Sequence, residues 1–376
     1  VAVMTQNIGA GRPGVAYQAR QLGLAFNAVL GVIMSLFLSL GAGTILSGVG
    51  VADALMQPAR TYLQIVGGFC ILNALIPICS SYLRAFGFSK EPLYASIIGN
   101  VINFCLNAFF LFVLHKGVAG VATATVISRI INLVIVVLLG AVLVKAKQHP
   151  ERESNRAVMG QIIRIGLPSA CETAIYNVSM TLVIRFLNQM DAQGLNVTAR
   201  SYTMQITNFS YCVGAALAQA NAIMTGWHIG AKEYDACDRG TKKAAVIGVI
   251  VAVILETVFT LCSGWIMQLF SKDPQMVSLV GKLLAIDIVL EIGRVTNLVY
   301  GQALKTSGDA VFPVVMGACF MILCSVGGTY LFGIRLGLLA VGAYIGMTGD
   351  ECVRAVGMYL RWKSGKWKEK GLVKSR

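Results

Sequence analysis

No charged residue lies between Arg20 and Asp53, Arg60 and Arg84, Glu91 and His115, Arg200 and His228, or Asp309 and Arg335. Each run is long enough to cross a bilayer core, which takes roughly 20 apolar residues as a helix. Runs of that length exceed the roughly 14 apolar residues typical of a soluble core helix. An isolated span in lipid must satisfy its own backbone hydrogen bonds, so these runs are helices. Composition agrees. The chain is 56% hydrophobic and 13% charged, against about 25% charged in an ordinary soluble domain, and its mean hydropathy is +0.71.

Charge-free runs place a stub at 1–8 and helices near 19–46, 58–84, 91–114, 118–146, 163–190, 198–227, 242–270, 275–304, 309–333 and 337–362. This is an all-α integral membrane protein with about ten full spans plus a stub. The polar stretch KAKQHPERESNR at 145–156 marks the best division of the chain. We expect an N-terminal bundle over 1–147, a linker over 148–160 and a C-terminal bundle over 161–376. The chain opens on Val, partway through an apolar segment, with no visible signal peptide.

The net charge of +14 does not require nucleic acid, because basic residues gather on the cytosolic side of membrane proteins. One set of alternate connections holds Arg12, Arg20, Arg84, Lys90, Lys145, Lys147, Arg152, Arg156, Arg164, Lys232, Arg239, Lys242, Lys243, Lys305 and the tail RWKSGKWKEKGLVKSR. The other holds Arg60, Lys116, Arg185, Arg200, Lys272 and Arg335. The first set is therefore expected to be cytosolic: the loops after residues 8, 84, 147, 229 and 305, and the C-terminus. Trp362 and Trp367 fit an aromatic belt at that interface. The ten cysteines contain no CxxC pair and read as small packing residues.

One loop is written twice. MTQNIGAGRPG at 4–14 and MTGWHIGAKEY at 224–234 share Met-Thr and Ile-Gly-Ala, with Gly9 matching Gly230 at an offset of 221. Tyr82 to Ser89 pairs with Tyr300 to Ser307 at an offset of 218. GVAGVATATVIS at 117–128 pairs with GLLAVGAYIGMT at 337–348 at an offset of 220. Six spans separate the paired loops, an even number, so the repeats are parallel and related by an axis along the membrane normal. The second copy has one span and most of another ahead of its loop. We therefore expect roughly 55–70 residues ahead of this chain, completing six helices per repeat.

QNIGAGR at 6–12, YLRAFGFSKEP at 82–92, NFCLNAFFLF at 103–112, IGLPSACE at 165–172 and ALKTSGDAVFP at 303–313 appear in order. So do GVAGVATATVIS and the terminal GDECVRAVGMYLRWKSGKW at 349–367. Together they make the chain resemble bacterial members of the multidrug and toxic compound extrusion (MATE) family of cation-coupled antiporters, over nearly its whole length. The resemblance implies a polytopic helical transporter of two pseudo-symmetric six-helix bundles, the first incomplete here. It also implies a V-shaped pair of lobes, a central cavity, and export of organic cations and drugs driven by Na⁺ or H⁺.

A charge at the bilayer centre costs about 2.5–3.5 kcal/mol on insertion scales, so each is a functional hypothesis. Asp287, Glu291 and Arg294 have the spacing i, i+4, i+7, which places them on one helix face. Glu291 and Arg294 can pair, leaving Asp287 the better candidate to take a proton or ion. Glu256 stands in VAVILETVFTL with no basic neighbour within four residues, so it stays protonated or faces a cavity. Glu172 follows Pro168, which loosens its helix by removing a backbone donor. The resemblance implies a cation site built from an acid on this helix and one on the tenth helix of the full count. Glu172 and Asp287 or Glu291 fall on those two helices.

Asp350 and Arg354 are i, i+4 and read as a structural ion pair, with Glu351 between them; Arg129 is expected to tie helices in the first bundle. The resemblance makes Asn103, Asn107 and Thr125 the N-lobe candidates. Archaeal-type relatives carry Asp where Asn107 stands. An Asn can ligate Na⁺ through its carbonyl but cannot carry a proton, which moves the expectation to the C-lobe.

His115, His149 and His228 lack metal-ligand partners and read as solvated, and no phosphate loop supports ATP drive. No metal beyond Na⁺ and no cofactor is expected. GAGTILSGVGVA at 41–52 reads as small residues for close helix packing. Met180, Met204, Met316 and Met321 would suit the walls of a cavity for varied flat substrates. The sequence thus points to a monomeric, multi-pass cell-membrane exporter in contact with lipid, not an enzyme. Two alternatives stay open: a lipid-linked saccharide flippase of the same superfamily, and a non-transporting membrane protein or membrane enzyme.

Overall fold

A computed structural model describes residues 1–49, 51–145, 149–191 and 194–373. Lys147, Lys374 and Arg376 of the basic set, Gly50 of the glycine-rich stretch, and the expected boundary at 147–148 lie outside the described residues. Helices follow one another as α1 Ala2–Gly9, α2 Pro13–Leu40, α3 Ala42–Val49, α4 Asp53–Gly68, α5 Ile71–Ala85, α6 Lys90–Ala108 and α7 Gly117–Leu143. They continue as α8 Asn155–Met190, α9 Leu195–Gly230, α10 Tyr234–Leu261, α11 Ser263–Met267, α12 Pro274–Ser307, α13 Val311–Phe320 and α14 Leu339–Lys363. Wider π turns extend α6 through Val113 and carry α13 on through Arg335. No strand occurs among the described residues. The helices form two compact units, one over residues 3–162 and one over 163–376.

Among the described residues, five helices are apolar enough to span a bilayer by themselves: α2, α6 with its extension, α7, α10 and α13 with its extension. The pair α4 and α5 makes a sixth, bent by 41°. That bend replaces the continuous helix expected at 58–84, and it follows the Gly67-Gly68 pair, a sequence that commonly kinks helices. Gly41 likewise ends α2 and starts the separate α3. The glycine-rich stretch therefore interrupts a span; Ala42 in it is buried, whereas Gly48 has nothing within 4 Å of where a Cβ would sit. Side chains such as Val29, Ile33, Leu36 and Phe37 on α2 are exposed, as a surface in contact with acyl chains requires.

The remaining long helices, α8, α9, α12 and α14, carry more polar residues. In the second unit α12 is the central element, packed on α9, α10 and α14. Small residues permit this. A Cβ at Gly214 of α9 or Gly248 of α10 would fall within 2.8 Å of Val295 on α12. Gly293 of α12 lies directly against the Glu351–Cys352 backbone of α14.

The internal repeat is visible in backbone geometry. Left-handed residues occur in corresponding pairs: Gly11 with Lys232, Gly87 with Gly308, His115 with Gly337, and Gly117 with Leu339. The turn hydrogen bonds repeat too. Arg12 N–H donates to Asn7 O as Glu233 N–H does to His228 O, and Phe88 N–H donates to Leu83 O as Asp309 N–H does to Leu304 O. Lys116 N–H donates to Phe110 O as Leu338 N–H does to Phe332 O. These pairs give offsets of 221, 221 and 222. The offsets of 218 and 220 expected for the second and third matches are therefore corrected. Side-chain identity had aligned Tyr82 with Tyr300, whereas the helix-ending turn, which needs a left-handed residue at one fixed place, aligns Leu83 with Leu304.

Turns 230–234 and 307–311 meet the C-terminal segment at one end of the second unit. Arg361 pairs with Asp309 at 2.7 Å, and Trp362 Nε1 donates to Asp238 Oδ1 at 2.9 Å. Trp367 stacks on Trp362 with ring centroids 4.1 Å apart, and both rings are 1% exposed. The expected aromatic belt is corrected accordingly: these indoles fasten the tail to protein rather than facing headgroups. At the opposite end, Asp191 caps α9 by accepting from the N–H groups of Leu195 and Asn196. Slight burial acts to raise its pKa, but these hydrogen bonds prevail and hold it below the usual 3.8.

Three outcomes follow for apparent melting of the purified protein. Gly308→Ala should lower the midpoint and free the tail to protease, because φ is +100° and a Cβ would collide with the Lys370 carbonyl. Lys232→Gly, at φ 61°, should leave stability equal or raise it by up to about 1 kcal/mol, with Gly48→Ala as a neutral control. Asp191→Ala should cost about 1 kcal/mol at neutral pH. Because the folded pKa lies below the unfolded one, that difference is present above pH 3.8 and should vanish as pH falls through the lowered value.

Candidate functional site

The centre of α12 carries Asp287 and Glu291, one turn apart. They are 2% and 0% exposed. From α10, Glu256, also 0% exposed, reaches the same place, and one carboxylate oxygen from each of the three lies within 4.8 Å of the others. Both Glu256 oxygens, Asp287 Oδ2 and Glu291 Oε2 have no hydrogen-bond partner among the described residues. Two full charges 5 Å apart repel by about 3 kcal/mol at an effective dielectric of 20. The cluster therefore disfavours three simultaneous negative charges. Arg294, bonded to Glu291 Oε1, offsets one of them. Unpartnered, convergent oxygens of this kind suit a hard cation that takes oxygen ligands, or a shared proton.

A second set of charges adjoins the first. Arg354 donates to Asp350 at 2.8 and 3.0 Å and reaches Glu351 at 2.8 Å. Ser325 donates to Asp350 at 2.9 Å, and Asn297 donates to Glu351 at 3.0 Å. Arg294 lies 3.9 Å from Glu351. The close α12–α14 approach at Gly293 is what sets Glu351 beside Arg294. One continuous charge network thus runs from the carboxylate trio through Arg294 to Asp350.

Arg294 and Arg354 also face a cavity of about 510 Å³ inside the second unit. Its walls include Tyr176, Tyr211, Glu351 and the pair Glu172–Lys305, whose oxygen and nitrogen are 2.5 Å apart. Here the structure departs from the expected cation pair. Glu172 is not brought to Asp287 or Glu291; it is held by Lys305 from near the end of α12. Sequence reasoning counted Lys305 among the loop charges, and its place four turns beyond Glu291 on the same helix was the signal available. Pro168 lies inside a continuous α8. Among the expected wall methionines, Met321 lines the cavity, Met180 and Met316 pack into the core, and Met204 is exposed.

In the first unit, Asn107 Nδ2 donates to Asn103 Oδ1 at 3.1 Å, and Asn103 Nδ2 donates to Ser128 Oγ at 3.3 Å. Thr125 turns its hydroxyl to Val121 O within its own helix, and joins the asparagines only through its carbonyl, which accepts from Ser128 Oγ at 2.9 Å. Arg129 has no ion-pair partner among the described residues. His228, expected to be solvated, contacts Glu233 at 2.8 Å.

The family model MatE matches residues 1–109 and 168–331. The protein named "Uncharacterized transporter YisQ" of Bacillus subtilis (strain 168) is 32% identical over 377 residues, covering 99% of this chain and 82% of that protein. "Probable multidrug resistance protein NorM" of Thermotoga maritima is 21% identical, over 90% of this chain and 76% of its own length. Among solved structures, a MATE protein crystallised in the straight conformation superposes with a TM-score of 0.88 at 19% identity, covering 98% of this chain and 83% of its own. An outward-facing MATE family transporter of the MOP superfamily gives 0.87 at 17%, with the same coverage. Motif order, fold and these matches converge: the chain is a multi-pass membrane protein belonging to the MATE family of transporters.

Proposed function

We propose that the chain exports organic solutes, drugs among them, across the cell membrane by antiport against Na⁺ or H⁺. In this reading it acts as a monomer with its basic loops in the cytosol and needs no cofactor beyond that ion. The names of its relatives support the export reading. The observation that carries the coupling is the buried trio Glu256, Asp287 and Glu291, with four carboxylate oxygens lacking partners. This reassigns the ion site. Glu172, held by Lys305, belongs to the cavity, while Glu256, weighed only singly in the sequence, joins Asp287 and Glu291.

Arg294 supplies the link between ion and solute. It bonds Glu291 in the trio and also lines the cavity. A proton or Na⁺ on the trio removes negative charge from Arg294's surroundings and turns the guanidinium toward Glu351 and the cavity. A positive group on a solute there is then disfavoured. Ion and solute so prefer different states, which is the requirement for antiport. Asp350 and Arg354 keep the structural role of fixing α14. The flippase alternative calls for a strongly cationic wall; this cavity sets Lys305, Arg294 and Arg354 against Glu172 and Glu351, so the geometry does not favour it.

In proteoliposomes with an imposed Na⁺ or pH gradient, Asp287→Asn and Glu256→Gln should each cut gradient-driven dye efflux at least tenfold, about 1.4 kcal/mol or more in the driven step. Both should retain a monodisperse gel-filtration profile. Wild-type rates in both variants would refute the assignment. If Na⁺ is the coupling ion, it should raise the melting midpoint relative to K⁺, with about 1.4 kcal/mol of stabilisation at ten times its Kd, and Asp287→Asn should abolish the rise. If protons couple, Na⁺ should leave the midpoint unchanged while a pH gradient alone drives efflux.

A further inference from the structure

The cavity of the second unit contains a counter-ion of its own. Every carboxylate on its wall is already held. Glu351 is bound by Arg354 at 2.8 Å and by Asn297 at 3.0 Å, with Arg294 at 3.9 Å. Glu172 Oε2 lies 2.5 Å from Lys305 Nζ, an ion pair without hydrogen-bond geometry, and Lys305 is its one ion-pair partner among the described residues. Both side chains of that pair keep some exposure, 17% and 16%, so it borders the hollow. A monocation entering the cavity therefore finds no free anion. To reach Glu172 it must displace Lys305 and leave that ammonium unpaired in a poorly solvated place, which is unfavourable.

A solute carrying both an ammonium and a carboxylate meets no such obstacle. Its carboxylate can accept from Lys305 while its ammonium takes Glu172, so one ion pair is exchanged for two and no charge is stranded. Tyr176 and Tyr211 stand on the same wall, with Met321 and Met358, and offer faces for an aromatic body. A volume of about 510 Å³ suits a single ligand of drug size. Resting on the export reading above, we propose that Lys305 is a specificity-determining residue. By occupying Glu172 it tunes this cavity to aromatic zwitterions in preference to lipophilic monocations.

A rhodamine dye in its free-acid, zwitterionic form and as its methyl ester, a monocation, provides a matched fluorescent pair. Binding to the full chain in nanodiscs is read by fluorescence anisotropy, and efflux is read in proteoliposomes. The wild type should bind the acid at least tenfold tighter than the ester. Lys305→Met should reverse that order, weakening the acid tenfold and tightening the ester, because Glu172 is released. Lys305→Arg should keep the wild-type order. The exchange Lys305→Glu with Glu172→Lys should restore it, which also guards against a misfolded single variant. Equal or tighter binding of the ester by the wild type, or an equal loss for both dyes in Lys305→Met, overturns the proposal. If the ester alone is exported, the proposal falls and the export reading stands. If neither dye is bound or exported, both fall.

Discussion

Arg294 is the residue on which the second unit's interior turns. It lies inside a span, bonded to Glu291, 3.9 Å from Glu351, and against the cavity. A charge in hydrocarbon is expensive, about 2.5–3.5 kcal/mol even on the lenient insertion scale. Five acids on three helices surround or adjoin this one arginine and Arg354. Neither cation could be removed without leaving carboxylates buried and uncompensated, a loss of roughly 3–5 kcal/mol for a broken buried pair. The trio, the α14 network and the cavity are therefore parts of one electrostatic arrangement rather than three sites that happen to be near one another.

The same constraint explains which helices are apolar. α2, α7 and α10 are apolar enough to span unaided, and they present many exposed aliphatic side chains. α12 and α14, which carry both arginines and four of these five acids, are less apolar, and α12 is the central element of the second unit. Their close approach depends on the absent side chain at Gly293, as the packing of α9 and α10 on α12 depends on Gly214 and Gly248. Small residues bring backbones together; the proximity then lets Glu351 reach Arg294 and Arg354. Helix packing and charge compensation are thus inseparable in this unit.

Much of the fold could be read in the sequence because hydrocarbon imposes a simple rule: long uncharged runs become helices. The repeat was legible in its Ile-Gly-Ala loops, though its register was set by backbone turns that side-chain identity tracks poorly, as Tyr82 and Tyr300 illustrate. Local ion pairs were legible as well, since Glu291 with Arg294 and Asp350 with Arg354 have helical spacing. Contacts between helices were not. Nothing in the spacing of Glu256 tells that α10 delivers it to Asp287, nor that Lys305 reaches Glu172 on α8. The burial of Trp362 and Trp367 depended on a chain reversal near Gly365 that brings the tail back onto its own helix.

The helical spacing of the ion pairs also bears on how this chain is made. Ribosomes deliver spans to the translocon one after another, and a span with bare charges would have to wait there for its partners. Here Arg294 finds Glu291 three residues away, and Arg354 finds Asp350 four residues away. Each of these segments therefore brings its own counter-charge out of the tunnel. The cross-helix contacts of Glu351 and Glu256 can form later, when the bundle closes, so integration and assembly become separable events.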